Sequence, residues 1–228
     1  MENKANKFWM YLIQKNKKIF TKEEVRENYV KFQEMWKDKK KDSEKDFKKV
    51  FDSLRKTRLR YMFNKKWYLL NKDEFVDSKN NRFEEYELIF RFLDDQKIPY
   101  YIGLSNAKYL NKLTWQNLKV IYIINTEFKL KRKIRNIEIN LIKFPKDLIV
   151  NMALIKTNKD IPYSDIEKTL LDEIYYNKYK KGKLQIRDYD FEGINIEKIK
   201  AYLSFYSKYK IVKKDLMNKL NKEQIRLL

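Results

Sequence analysis

The chain has no cysteine and no histidine, and only three glycines and three prolines in 228 residues. Without cysteine there are no disulfides and no thiolate metal sites; without histidine the commonest metal ligand and acid–base group is gone. No apolar run approaches the roughly 20 residues of a membrane-spanning helix. The apolar run at residues 8–13 is too short for a signal peptide and is followed by Lys15, Lys17 and Lys18. These absences predict a soluble, cytoplasmic, metal-free protein with no membrane partner. Catalytic constellations are scarce too. Asp94-Asp95 and Asp172-Glu173 are sequence neighbours that point to different sides of a helix, so they cannot converge as an acid–base pair and read as surface charges. Gly103-Leu104-Ser105 lacks P-loop spacing. Glu127-Phe128-Lys129 has the residue types of a magnesium-dependent nuclease core but no upstream aspartate partner. The expectation is a non-enzyme with no catalytic residues, cofactor or metal.

What the chain does have is positive charge and aromatic bulk. Lys and Arg number 53 against 32 Asp and Glu, a formal charge of +21, while 43% of residues are hydrophobic and 15% aromatic. That is too rich in core formers for a disordered polycation. The charge favours a polyanionic partner through counterion release, although a lysine-heavy compositional bias also contributes, since only ten of the basic residues are arginine. Its distribution is more informative: residues 1–71 hold 21 Lys and Arg against 10 Asp and Glu, roughly twice the charge density of the remainder. The length suits two domains, each with its own core.

The front of the chain reads as helix, helix, helix, hairpin. A first helix near residues 4–15 carries Phe8, Trp9, Leu12 and Ile13 on one side, and Thr21 with Glu24 forms a capping box for a second, through Val25, Tyr29, Phe32 and Trp36. A charged connection, residues 37–42, leads to a third helix, for which Ser43 is the expected N-cap with Asp46 completing a capping box. Phe47, Val50, Phe51 and Leu54 recur at i, i+3, i+4 and i+7, one apolar stripe. The opposite face carries Lys45, Lys49, Asp52 and Lys56. Residues 61–63 and 67–70 then form two strand-like runs joined by Asn64-Lys65-Lys66. This is the order of a winged helix-turn-helix, expected over residues 1–71. The predicted DNA-contacting set is Lys41, Ser43, Lys45, Lys48, Lys49, Asp52, Arg55, Lys56, Arg58 and Arg60, with Lys65 and Lys66 at the wing tip. Lysine is a point charge that suits backbone phosphates, positioning the protein rather than reading bases. Asp52 either pairs with Lys48 or Lys56 at helical spacing or accepts from a cytosine amino group.

Residues 72–81 are polar and read as a linker to a second domain, 82–228. Its predicted elements are a helix near 82–96, a short helix capped by Ser105, strands near 120–124, 133–137, 138–144 and 148–155, a helix capped by a Ser164/Glu167 box, and helices near 194–207 and 209–221. The fold class is therefore α+β, with a small sheet and C-terminal helices following the winged helix.

Within this second part the run Ile98-Pro99-Tyr100-Tyr101-Ile102-Gly103-Leu104-Ser105-Asn106-Ala107, then Leu113-Thr114, the strand at 120–124, and Ser164-Asp165-Ile166-Glu167-Lys168-Thr169-Leu170-Leu171-Asp172 resemble the AbiEi family of antitoxin-type transcriptional regulators from abortive-infection systems. The resemblance lies in pattern and order rather than long identities. It implies an N-terminal winged helix followed by an α/β antitoxin domain. It also implies binding to inverted repeats of double-stranded DNA in the protein's own promoter, and counteraction of a nucleotidyltransferase-type toxin without a stable complex. A palindromic operator would imply a homodimer on DNA. Two other readings remain: an RNA-binding or RNA-processing protein using the basic face and the aromatics, and an interaction protein that has lost DNA binding.

Overall fold

The structure, a computed structural model, describes residues 4–36, 44–62, 65–79, 87–115, 120–134, 137–149, 153–157, 160–180, 189 and 193–220. It divides into two compact units, Met1–Lys97 and Ile98–Leu228, and is mixed helix and sheet.

In the first unit α1 (Lys4–Ile13) buries Phe8, Trp9 and Leu12, the side expected from their spacing. A short strand, β1 (Ile19–Thr21), ends on the residue that caps α2 (Lys22–Met35). The capping box forms as read: Thr21 Oγ1 accepts from the Glu24 amide at 3.1 Å and Glu24 Oε2 accepts from the Thr21 amide at 2.8 Å. The third helix, α3 (Glu44–Thr57), turns Phe47, Val50, Phe51 and Leu54 inward. Together with Val25, Tyr29 and Phe32 these close one core. The hairpin follows as β2 (Leu59–Tyr61) and β3 (Lys66–Leu69). It is completed by β1, which three residues of sequence were too short to reveal; β3 lies between its two antiparallel neighbours, with Thr21 opposite Lys66 and Tyr61 opposite Trp67.

The expected linker is not a linker. Residues 72–79 form α4 (Lys72–Lys79), because Asn71-x-x-Glu74 closes a second reciprocal box: Asn71 Oδ1 accepts from the Glu74 amide at 2.8 Å and Glu74 Oε2 from the Asn71 amide at 2.9 Å. Buried Glu74 also accepts from Tyr68 and from Arg91 of α5 (Glu87–Asp95). The division between units accordingly falls after Lys97 rather than at 72–81.

The second unit has a six-stranded mixed sheet ordered β6-β7-β5-β4-β9-β8. Its strands are β4 (Tyr100–Ile102), β5 (Val120–Asn125), β6 (Leu130–Ile134), β7 (Ile137–Lys143), β8 (Leu154–Lys156) and β9 (Pro162–Ser164). The parallel β5–β7 pair sets Ile123 beside Leu141 and Ile124 beside Ile142. Sequence reading placed β5 and β7 closely, set β6 about three residues late, and ran a single strand through 148–155, where a 3-10 turn, Lys146–Leu148, precedes β8. The helix α6 (Leu104–Leu110) begins after Gly103, which makes no side-chain cap, so Ser105 is not the cap. Central to the unit is α7 (Ile166–Tyr179), buried without interruption from Glu167 to Tyr175. With α8 (Ile196–Leu203) and α9 (Lys210–Met217) it packs Leu170, Leu171, Ile174, Ile199 and Val212 against Tyr101, Ile124, Ile142 and Phe144 of the sheet side.

Candidate nucleic-acid interface

The apolar stripe that seats α3 in the first core decides what its other face shows. Lys45, Lys48, Lys49, Arg55 and Lys56 are all exposed, so five predicted side chains share one surface of a 14-residue helix. Asp52, half-buried among them, pairs with Arg55 at 3.5 Å; the partner is neither Lys48 nor Lys56 as read from spacing. Lys65 is exposed at the hairpin turn with φ 58°, the left-handed region that a turn residue without glycine must adopt here. Arg60, on β2, is half-buried opposite Tyr68. Lys66 donates to Gln96 Oε1 at 2.5 Å and is half-buried, which draws it away from a role as a free wing-tip charge. Lys41 and Ser43, with the 37–42 connection, lie outside the described residues. The cap that Asp46 was expected to complete on Ser43 lies outside the described residues; Asp46 accepts from Lys4 and Tyr29 at 2.6 and 2.7 Å. The Lys4 hydrogen bond, with Tyr29 in support, holds its carboxyl below the ordinary carboxylate value, while burial pushes the Tyr29 hydroxyl up to about 12.

Arg58 departs furthest from expectation. Its guanidinium lies 4.5 Å from the Trp9 ring and 4.6 Å from the Phe75 ring, and it donates to Asn6 and Thr57. Burial pulls its pKa down. An arginine stacked between two aromatics and bonded to α1 holds the first unit together; it is not presented to a groove. Conversely, sequence reading missed Lys22 and Trp67. They join Phe47, Lys48, Phe51 and Arg55 around a cavity of about 570 Å³ beside α3, with the Lys22 ammonium 5.8 Å from the Phe51 ring. The available signal was the position of Lys22 directly after the Thr21 cap, at the positive end of α2.

The Ser164 to Asp172 motif of the second unit builds a buried network. The cap of α7 is Asp165, whose Oδ1 accepts from the Lys168 amide at 2.9 Å, while Ser164 bonds Thr169 and Glu167 accepts from the Asn195 amide. Asp172 and Glu173, read as surface charges, are fully buried. The Lys168 ammonium donates to Asp172 at 2.5 Å and to the hydroxyls of Tyr101 and Tyr206, each at 2.9 Å. Those hydroxyls in turn donate to Asp172 at 2.7 and 2.5 Å. Burial pushes Asp172 up and Lys168 down, each opposed by the other's charge, and raises both tyrosines well above their ordinary value. Glu173 points elsewhere, to Lys108 at 3.5 Å and Tyr189 at 3.1 Å. The divergence of the two carboxylates is therefore as read, but their exposure is not. Glu127-Phe128-Lys129 forms a turn in which Asn125 Oδ1 accepts from the amides of Glu127 and Phe128. Among the described residues no group of three or more acidic side chains is placed to hold a metal ion, and no helix is long and apolar enough to cross a membrane.

No protein-family profile and no curated protein matches the chain. Among solved structures it is similar to the solution structure of the antibiotic-resistance factor ANT(2'')-Ia, at 11% identity and a TM-score of 0.36, covering 57% of this chain and 94% of that one. A likeness of that size carries no inference about chemistry.

Proposed function

We propose that this protein is a DNA-binding transcriptional regulator of the AbiEi antitoxin type, with a winged helix as its first unit. The observation that carries the reading is the order α1-β1-α2-α3-β2-β3 closed into the sheet β1-β3-β2, with α3 packed by one face and basic on the other. That is the arrangement in which the third helix enters a major groove while the hairpin reaches the flanking backbone. The lysines would bind phosphates and set register; Asp52, held by Arg55, would keep that arginine oriented. For the second unit, the Ser164 to Asp172 motif supports an antitoxin-like domain, and the role that follows is counteraction of a nucleotidyltransferase-type toxin without a stable complex. A homodimer on an inverted repeat fits the same reading.

The test is fluorescence anisotropy on the duplex upstream of the protein's own gene, against a scrambled duplex, across a salt series. Replacing Lys45, Lys48, Lys49 and Lys56 with Ala is expected to abolish operator binding while the melting temperature stays put, because all four side chains are exposed. For single exchanges the slope of log K against log salt should become shallower by about 1 per lysine. Retained binding at an unchanged slope would put the interface elsewhere.

A further inference from the structure

A second basic surface lies in the unit that the DNA-binding reading leaves without a ligand. Between the C-terminal end of α7 and the edge strand β6 runs an open groove of about 950 Å³. Ile142 and Phe144, both buried, form an apolar floor, with Tyr176 and Tyr179 as one wall. Lys129, Lys131, Lys143 and Lys180 stand around the rim, all exposed, and among the described residues no carboxylate lines it. Lysine on an edge strand also blocks unwanted sheet pairing, which accounts for Lys131, itself 3.8 Å from Glu138. It does not account for Lys129 in the turn, Lys143 at the end of β7, or Lys180 at the end of α7. Tyr179 is held in place from two sides: its ring lies 5.2 Å from Tyr175 at an interplanar angle of 19°, and 5.2 Å from Tyr209 at 73°. Even so, 38% of its surface remains exposed.

Fixed aromatic surface inside a groove, with ammonium groups spaced along its edges, is the chemistry that single-stranded nucleic acid requires: π-faces for unpaired bases and point charges for phosphates. A duplex keeps its bases inside and would meet only the rim. We infer that this groove binds a short segment of single-stranded nucleic acid, with a base against Tyr179 and the backbone along Lys129, Lys143 and Lys180. The groove belongs to Ile98–Leu228 and the α3 face to Met1–Lys97.

The experiment uses the full chain with labelled oligo-uridine RNA and oligo-thymidine DNA, both unstructured, in an anisotropy titration from 50 to 200 mM salt. Three neutralised phosphates on a single strand predict that affinity falls roughly 20-fold across that range. Replacing Lys129, Lys131, Lys143 and Lys180 with Ala together should remove most of this salt dependence and weaken binding at least about tenfold, leaving duplex binding by the first unit unchanged. Tyr179→Leu should weaken binding by about tenfold at an unchanged salt slope, since it removes stacking and no charge. Equal affinity for the two strands supports recognition of backbone and base faces alone, and a preference for RNA supports added reading of the 2′-hydroxyl. The inference is overturned if neither strand binds, if the fourfold lysine variant binds as the parent does, or if the α3 lysine variant is the one that loses single-strand binding.

Discussion

Arg58 and Lys168 are both basic residues in a basic chain, and both are structural. For Arg58 the expected outcome of Arg58→Ala is a loss of about 1–3 kcal/mol from the stability of the first unit, through the lost stack on Trp9 and Phe75 and the lost bond to Asn6. Under the proposed DNA-binding reading, duplex affinity and its salt slope should stay unchanged, which a urea melt beside a DNA titration would check. For Lys168, removing one partner leaves an uncompensated charge in the core. Lys168→Met alone is expected to cost about 3–5 kcal/mol, whereas Lys168→Met with Asp172→Leu should recover most of it. If the double variant were as unstable as the single, the tyrosine hydroxyls rather than the ion pair would dominate the network. Asp46 gives a pH signature. Because its folded pKa is lowered, its contribution is present above the ordinary value of 3.8 and is lost as pH falls through the folded value. Parent stability should thus drop more steeply below about pH 4 than that of Asp46→Asn, measured by urea melts across pH.

At the scale of elements, the caps decide where helices begin. Thr21→Ala is expected to destabilise the first unit by about 0.5–2 kcal/mol, read from its denaturant midpoint. The box was legible because Thr-x-x-Glu is a local pattern whose donors and acceptors all lie within four residues. Asn71-x-x-Glu74 is the same device with a different cap residue, embedded in a polar stretch where composition argued for a linker. In α7 the serine of the expected box ends a strand instead, and Asp165, one position later, takes the cap; two adjacent capping side chains cannot be ranked until β9 fixes which one leaves the sheet. Short strands escaped notice for a related reason. Three residues of β1, β4 or β9 carry too few alternations to declare a period of two, and they become strands because neighbouring strands supply their hydrogen bonds.

At the scale of the molecule, the two hydrophobic clusters, one around α3 and one around α7, have no residue in common among the described residues. Thr21→Ala should shift only the amide-exchange protection of residues in Met1–Lys97, and Lys168→Met only that of residues in Ile98–Leu228. Protection lost in both units from either change would mean that they unfold together. The same separation lets the α3 face and the groove beside β6 be altered one at a time.

The sequence by itself determined the apolar stripe of α3, the cap on α2, the hairpin and the excess of positive charge, because each is set by neighbours three or four positions apart or by composition alone. Only the tertiary structure decided which charges face solvent. Asp172 and Arg58 look like surface residues in a chain that is 37% charged, and they turn inward toward partners far away in sequence, Tyr101 and Tyr206 for Asp172, Trp9 and Asn6 for Arg58. Lys22 and Trp67 meet beside α3, and Lys129 meets Tyr179 across a groove, for the same reason: proximity between residues distant along the chain is created by the sheet and the packed helices, and no local period records it.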